Sequence, residues 1–368
     1  MGEEGAPSCG AGEGADTMGA MKWELIGHGW AAELLSQHIQ RGSVRHAYLI
    51  TGPDGIGKRT LALRFAQALC CEEPPEAGDR CGSCAACRRI ESGSYPDFHL
   101  VEVGQLDDEL GRTSSEILVE QILRLQRQLA LTPHSGKWRV GLIRRFWEAS
   151  ETAANALLKT LEEPAASVVL LLTARTAEAL LPTIVSRCEI INLRPVSRSK
   201  IRTALEGRGM EPDESALIAS LAAGRPGFAL RLAEDPTWLA RRQERIQDLL
   251  GLLPAARAER FAYAEQIGPK GKGSLKKVRD ELAEMLELWL GVWRDIFLLS
   301  AGLDQQVQNT DLIGPLRHLA SALGRERAVR ALASVETCLQ NIMAYANIRL
   351  ALETLMLELP QLDIVAER

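Results

Sequence analysis

The chain has no surplus of positive charge. Its 43 Lys and Arg stand against 48 Asp and Glu, a net charge of −5 at pH 7. That balance argues against a strongly basic, nucleic-acid-coating surface. Contact with nucleic acid as one part of a larger assembly stays compatible with it. No apolar run reaches the ~18 residues of a membrane span, so no membrane is expected as a partner. The start, MGEEGAPSCGAGEGADTMGAMKWEL, lacks the basic residues and apolar core of a secretory signal. A cytoplasmic chain is therefore expected, with its eight cysteines held as reduced thiols or metal ligands. The Gly, Ala and Glu content of residues 1–20 reads as a disordered tail, with Met18 and Met21 as alternative starts. No repeat of fixed period is visible, and no second sheet pattern follows Pro195.

What is present, at an ordinary globular composition, is an alternation of short apolar runs and helical stripes. The runs HAYLITG, FHLVEV, WRVGLI, SVVLLLTA and EIINL read as strands of a mostly parallel sheet, HAYLITG and SVVLLLTA as buried ones. Between them, RTLALRFAQALCC carries Leu61, Phe65, Ala68 and Leu69 on one helical face. SEILVEQILRLQRQLAL is expected as a helix offering Ile117, Ile122, Leu125 and Leu129 for burial. SETAANALLKTLEEP is another, capped by Ser150 and ended by Pro164. Repeated βα units predict an α/β domain with a parallel sheet over residues 21–194, interrupted by a Cys-rich insertion at about 70–90. Three short helical patterns then predict a small helical module over 195–236. Longer stripes at Arg242–Leu253, Leu275–Ala301, Ala328–Ala344 and Arg349–Glu358 predict an all-α bundle over 237–368. The apolar face of Leu286, Leu290, Trp293 and Phe297 serves either subunit contacts or the bundle's own core.

The strand–glycine loop–helix order around TGPDGIGKRT is the context of a phosphate-binding loop. Gly52, Gly55 and Gly57 permit a turn whose N–H groups face phosphate, and Lys58 reaches the β- and γ-phosphates. Magnesium in such sites is held by a Ser or Thr after the lysine and by an acid on a neighbouring strand. Arg59 offers no oxygen, and Thr60 is turned away by about a third of a helical turn. WRVGLIRRF ends in Arg144 and Arg145 where acids belong, and Glu148 lies several residues on. A cradle able to hold ATP or ADP passively is expected, with no Mg²⁺ site and no hydrolysis. Nothing in the sequence accounts for inverting the charge at Arg144 and Arg145.

The insertion places Cys81, Cys84 and Cys87 in a C-x₂-C-x₂-C run downstream of Cys70 and Cys71. Four thiolates at such spacing close a tetrahedral Zn²⁺ site with no open position, hence a scaffolding one. Cys70 continues the helical stripe of Leu63 and Ala66 and can pack as a small hydrophobe. That favours Cys71 as the fourth ligand and keeps Cys70 as the alternative. Arg187, in IVSRCEI, sits on a turn before the last strand, where an arginine is either solvated or able to reach a neighbour's γ-phosphate. Thr173 ends a buried strand and could sense phosphate.

From about Trp23 onward these features resemble the AAA+ clamp-loader family of bacterial DNA polymerase III subunits, and within it the delta-prime subunits. The resemblance rests on IGHGWAAELLSQHIQRGSVRHAYLITGPDGIGK, the cysteine insertion, SYPDFHLVEV, AANALLKTLEEP, IVSRCEIINLRPV, GRPGFALRLAE and YANIRLALETLMLELP. It implies an AAA+ domain, a helical lid and a collar through which subunits assemble. It also implies a stator in a pentameric machine that opens a sliding clamp and places it on primed DNA. Gamma/tau and delta subunits would be the partners. Arg187 would be an arginine finger completing the ATP site of the neighbouring gamma/tau subunit. Cys71, Cys81, Cys84 and Cys87 would be the zinc ligands, and Thr173 the sensor-1 residue. The sensor-2 arginine of motor subunits falls at Gly227. No activity would belong to the chain alone. The competing expectations are an active gamma/tau-like ATPase, or a zinc-containing DNA-binding protein with a vestigial loop.

Overall fold

The computed structural model describes residues 22–104, 114, 116–134, 136–269, 275–344 and 346–362. The tail expected over residues 1–20 lies outside them. The chain divides into two compact units that meet between Arg194 and Pro195.

The first unit is an α/β fold. Its helices are α1 Gly29–Gln40, α2 Lys58–Cys70, α3 Ala85–Glu91, α4 Val119–Leu129, α5 Glu151–Glu162 and α6 Pro182–Val185. Its strands are β1 Ala47–Thr51, β2 Phe98–Val101, β3 Arg139–Ile143, β4 Val168–Ala174 and β5 Glu189–Asn192. They pair in the order β2-β3-β4-β1-β5, every pair parallel. Parallel strands buried on both faces need apolar side chains in both directions, which is why β1, β3 and β4 are continuous apolar runs. Along β1 the strand period of two is visible. Tyr48 and Ile50 join the core made with Leu35 of α1 and Phe65 of α2. Ala47 and Leu49 join the opposite core, with Leu125 of α4 and Leu157 of α5.

One detail of this unit differs from the sequence expectation. Helix α4 begins at Val119, and Ile117 is buried in an isolated parallel bridge to Ala149 instead. Its N–H donates to Glu148 O at 2.9 Å and its carbonyl accepts from Ser150 N at 3.0 Å. Backbone pairing there satisfies groups that a first helical turn would leave open. Ser150 does cap α5, its Oγ accepting from Ala153 N at 3.2 Å.

The second unit is helical. It contains α7 Arg198–Glu206, α8 Pro212–Leu221, α9 Pro226–Glu234, α10 Trp238–Leu252, α11 Arg257–Ile267, α12 Leu275–Ser300, α13 Ile313–Met343 and α14 Ile348–Glu358. Helix α13 is longer than its apolar stripe indicated and is interrupted at Gly324, whose φ of 71° is open to glycine without strain. Leu286 and Trp293 are fully buried, and Leu290 and Phe297 pack on the same core. The face weighed for subunit contacts is therefore the interior of the bundle. Apolar residues exposed elsewhere include Met343, Leu350 and Leu357. Arg260 ties the bundle's end together by donating to the carbonyls of Leu252, Leu253, Met356, Leu359 and Pro360. Among the described residues no helix is long and apolar enough to cross a membrane.

Candidate functional site

The Cys-rich insertion folds so that four sulfurs converge. Helix α2 ends at Cys70, and Cys71 leaves it in extended conformation. Cys84 is the N-cap of α3, its sulfur accepting from Cys87 N at 3.4 Å. Cys71 Sγ lies 3.6 Å from Cys81 Sγ, 4.0 Å from Cys84 Sγ and 3.8 Å from Cys87 Sγ. All four sulfurs fall within 4.8 Å of one another. A tetrahedral ion with metal–sulfur bonds of ~2.3 Å has sulfur–sulfur edges of about 3.8 Å. These separations fit such an ion and are far too long for disulfides at ~2.0 Å. Backbone N–H groups of Cys81 and Cys84 also point at sulfur, at 3.3 and 3.2 Å. Hydrogen bonds from Cys84 N and Ser83 N bring the Cys81 thiol down to about 6. Burial pushes the Cys87 thiol up. Cys70 takes no part. Its sulfur packs into the first core, 3.9 Å from Trp138 O, and burial raises its thiol to about 12.

The cluster is tied to the first residues of the domain. Trp23 Nε1 donates to Asp79 Oδ1 at 3.0 Å, and Arg80 Nη2 pairs with Glu24 Oε2 at 2.7 Å. From α2, Gln67 Nε2 donates to Cys87 O at 2.8 Å. A polar groove of about 880 Å³ runs beside the cluster, lined by Glu24, Arg64, Arg80, Cys81 and Arg88 among others.

The glycine loop joins β1 to α2. Gly52 has φ 139°, and a Cβ there would stand 2.6 Å from Leu193 O, so only glycine lets the loop pass beneath the end of β5. Gly57 caps α2 with φ 113°, and Gly55 has φ 79°. Lys58 is buried, and its ammonium folds back on the loop. It donates to Gly52 O, to Pro53 O at 3.1 Å and to Asp54 Oδ1 at 3.3 Å. Burial lowers its pKa, and Asp54 offsets part of that. Below the loop, His28 is buried and its Nε2 lies 3.0 Å from Ile56 O. A carbonyl only accepts, so Nε2 carries the proton.

The arginine pair after β3 has a structural account. Arg144 pairs with Glu102 just past β2, where the register sets Val101 beside Ile143. Arg145 adopts the left-handed conformation, φ 53°, and pairs with Glu148. Its guanidinium lies 5.7 Å from the Trp147 ring centre, with Arg175 at 5.2 Å and Lys58 Nζ at 5.7 Å from the same ring. Thr173 Oγ1 accepts from Arg145 N at 2.9 Å. The acids at these strand ends are thus spent on the chain's own arginines.

Arg187 follows α6 and is part-exposed. Nη1 donates to Thr183 O at 2.8 Å, and Nη2 to Glu162 Oε1 at 2.8 Å. Glu162 is the last residue of α5, so the NALLKTLEEP helix and the SRC turn meet here. In the second unit, Gly227 lies in the first turn of α9, and Arg225 stacks over Phe228 at 4.5 Å.

Sequence reasoning brought out neither Asp54, Trp147 nor Arg175. Arg175 Nε pairs with Asp54 Oδ2 at 3.0 Å. The signal was topological. Once β1 and β4 are neighbours, with Thr51 beside Ala174, the residue after Ala174 must reach the loop.

A family model described as DNA polymerase III, delta subunit, matches residues 27–197. The DNA polymerase III subunit delta' of Pseudomonas aeruginosa is 37% identical over 207 residues, covering 55% of this chain and 60% of its own length. That of Bacillus subtilis is 27% identical over 330 residues, covering 89% of this chain and 95% of its own. The subunit gamma of Buchnera aphidicola from Acyrthosiphon pisum is 32% identical over 250 residues, covering 64% and 66%. The chain thus spans under two thirds of the Pseudomonas relative and nearly all of the Bacillus one. A solved gamma subunit-related protein of Thermotoga maritima superposes with TM-score 0.45 at 17% identity, covering 89% of this chain and 97% of that one.

Proposed function

The chain belongs to the DNA polymerase III clamp-loader family, and we propose that it acts there as a non-hydrolysing, delta-prime-type subunit. One observation carries this reading. Every oxygen that would normally hold or sense Mg²⁺·ATP is missing or engaged elsewhere. Arg59 follows the loop lysine, Arg144 and Arg145 replace the strand-end acids, and Thr173 Oγ1 is bonded to Arg145 N. Phosphoryl transfer of this class depends on metal-assisted charge stabilisation, and arginines at these positions offer the metal no ligand.

The contribution to catalysis is then made in trans. Arg187, part-exposed on its turn, serves as an arginine finger for the ATP of a neighbouring gamma/tau subunit, where it stabilises charge on the transferring phosphoryl group. Gamma/tau and delta subunits are the partners, and a sliding clamp and primed DNA are reached through the assembled complex. The helices α7–α9 form the lid and α10–α14 the collar of a three-domain arrangement. Cys71, Cys81, Cys84 and Cys87 hold structural Zn²⁺, which cross-links the insertion to α2 and α3. A cytoplasmic setting keeps those thiols reduced.

Reconstitution with delta and gamma/tau subunits tests the reading. Arg187→Ala should assemble normally, while turnover at the one site it serves falls by about 10³-fold or more. The remaining sites mask part of that loss in the total rate. An unchanged rate removes the finger. ATP turnover by the purified chain alone removes the non-hydrolysing reading in favour of a gamma/tau-like motor.

A further inference from the structure

An empty phosphate loop ordinarily leaves its lysine and its N–H groups waiting for an anion. Here the lysine is occupied. A lysine ammonium has three N–H donors, and Lys58 has three oxygen partners, Gly52 O, Pro53 O and Asp54 Oδ1. Gly52 N donates to Arg175 O at 3.0 Å. Arg175 then turns its side chain back over the loop, with Nε 3.0 Å from Asp54 Oδ2 and its guanidinium against the Trp147 ring. Asp54 thus stands between the two cations nearest the cradle, one oxygen to each. Its side chain is 51% exposed, so this is a contact on an open loop rather than a core ion pair.

We propose that the Asp54 carboxylate is a built-in counter-anion, which takes the place of a nucleotide phosphate on Lys58 and keeps the loop closed. It rests on the non-hydrolysing reading above and adds a reason for the loop to disfavour nucleotide. Losing the metal positions removes hydrolysis and leaves phosphate affinity intact. The self-made anion removes affinity as well. A phosphate entering the cradle must displace a carboxylate of like charge, and such juxtaposition is an effective means of excluding a ligand. The lowered pKa of Asp54 agrees with this geometry. Burial raises it, but Lys58 and Arg175 together outweigh burial, so the group stays ionised.

The test is equilibrium binding of ADP and of pyrophosphate to the full chain, without added magnesium, by titration calorimetry. The wild type is compared with Asp54→Asn, which keeps the side chain's shape, and with Asp54→Ala. Both variants should bind ADP at least about tenfold more tightly than the wild type. Adding Lys58→Ala to Asp54→Asn should abolish the gain. Thermal melts and zinc content confirm that the variants fold. Variants that bind no better than the wild type overturn the proposal, whether all three bind or none does. ATP hydrolysis is followed in parallel samples of the same proteins supplied with ATP and magnesium. Turnover by the wild type would sink the non-hydrolysing reading while the binding comparison still decides the role of Asp54.

Discussion

The backbone N–H of Arg145 donates to Thr173 Oγ1 at 2.9 Å, joining the ends of β3 and β4. The hydroxyl therefore holds Arg145 in its left-handed turn and has a structural duty. Thr173→Val keeps the shape of the side chain and removes the acceptor. It should lower stability by about 1 kcal/mol, the net value of one hydrogen bond with a partly desolvated partner. Thermal melting of the purified chain measures that. ATP turnover of a reconstituted complex should be unchanged, and a large loss would return a sensing role to Thr173.

Metal removal separates the two adjacent cysteines. Cys71 Sγ lies within 4.0 Å of three other thiols, whereas Cys70 Sγ faces Trp138 O in the core. Cys71→Ser should cut bound zinc well below one ion per chain and reproduce the loss of stability caused by a strong chelator. Cys70→Ala should keep a full ion and lose only about 1 kcal/mol or so of packing. Elemental analysis together with thermal melts decides it. Equal zinc loss in both variants would contradict the convergence of the four sulfurs. Because Trp23 and Glu24 are tied to Asp79 and Arg80, chelation should also expose the Trp23 indole, a change visible in fluorescence.

Much of this was legible in the sequence where one local pattern decides the outcome. The runs of β1, β3 and β4 read as buried strands because they carry no polar alternation. The C-x₂-C-x₂-C spacing and the stripe through Leu63, Ala66 and Cys70 favoured Cys71 over Cys70 as the fourth sulfur, and the convergence of Cys71 with the other three decides between them. What could not be read is whatever depends on residues far apart in the chain. Asp54 and Arg175 meet only because β4 pairs with β1. Arg144 finds Glu102 only because β2 lies beside β3. The sequence made those arginines a charge inversion without a reason, and the sheet order supplies their acids. The bundle was undecided in the same way. Leu286 and Trp293 were open to subunit contacts or to the bundle's own core, and the packing of α12 in one core with the longer, kinked α13 decides for the core.

His28 gives the domain a pH dependence whose sign follows from its surroundings. The imidazole is buried under the loop with Nε2–H on Ile56 O. Burial holds its pKa below the ordinary 6.5, and the Ile56 hydrogen bond only partly counters that. Below pH ~6.5 the unfolded chain protonates this histidine while the folded chain resists, so the unfolded state binds more protons and stability falls with pH. The slope from one such group is at most about 1.4 kcal/mol per pH unit. Above pH ~7.5 the group is neutral in both states and contributes no slope. His28→Gln keeps a donor within reach of Ile56 O and cannot titrate. The melting-temperature gap between wild type and this variant should be constant above pH ~7.5. Between pH 6.5 and 5 it should move steadily against the wild type. A gap that stays flat over the whole range would show that His28 is protonated as readily in the folded chain as in the unfolded one.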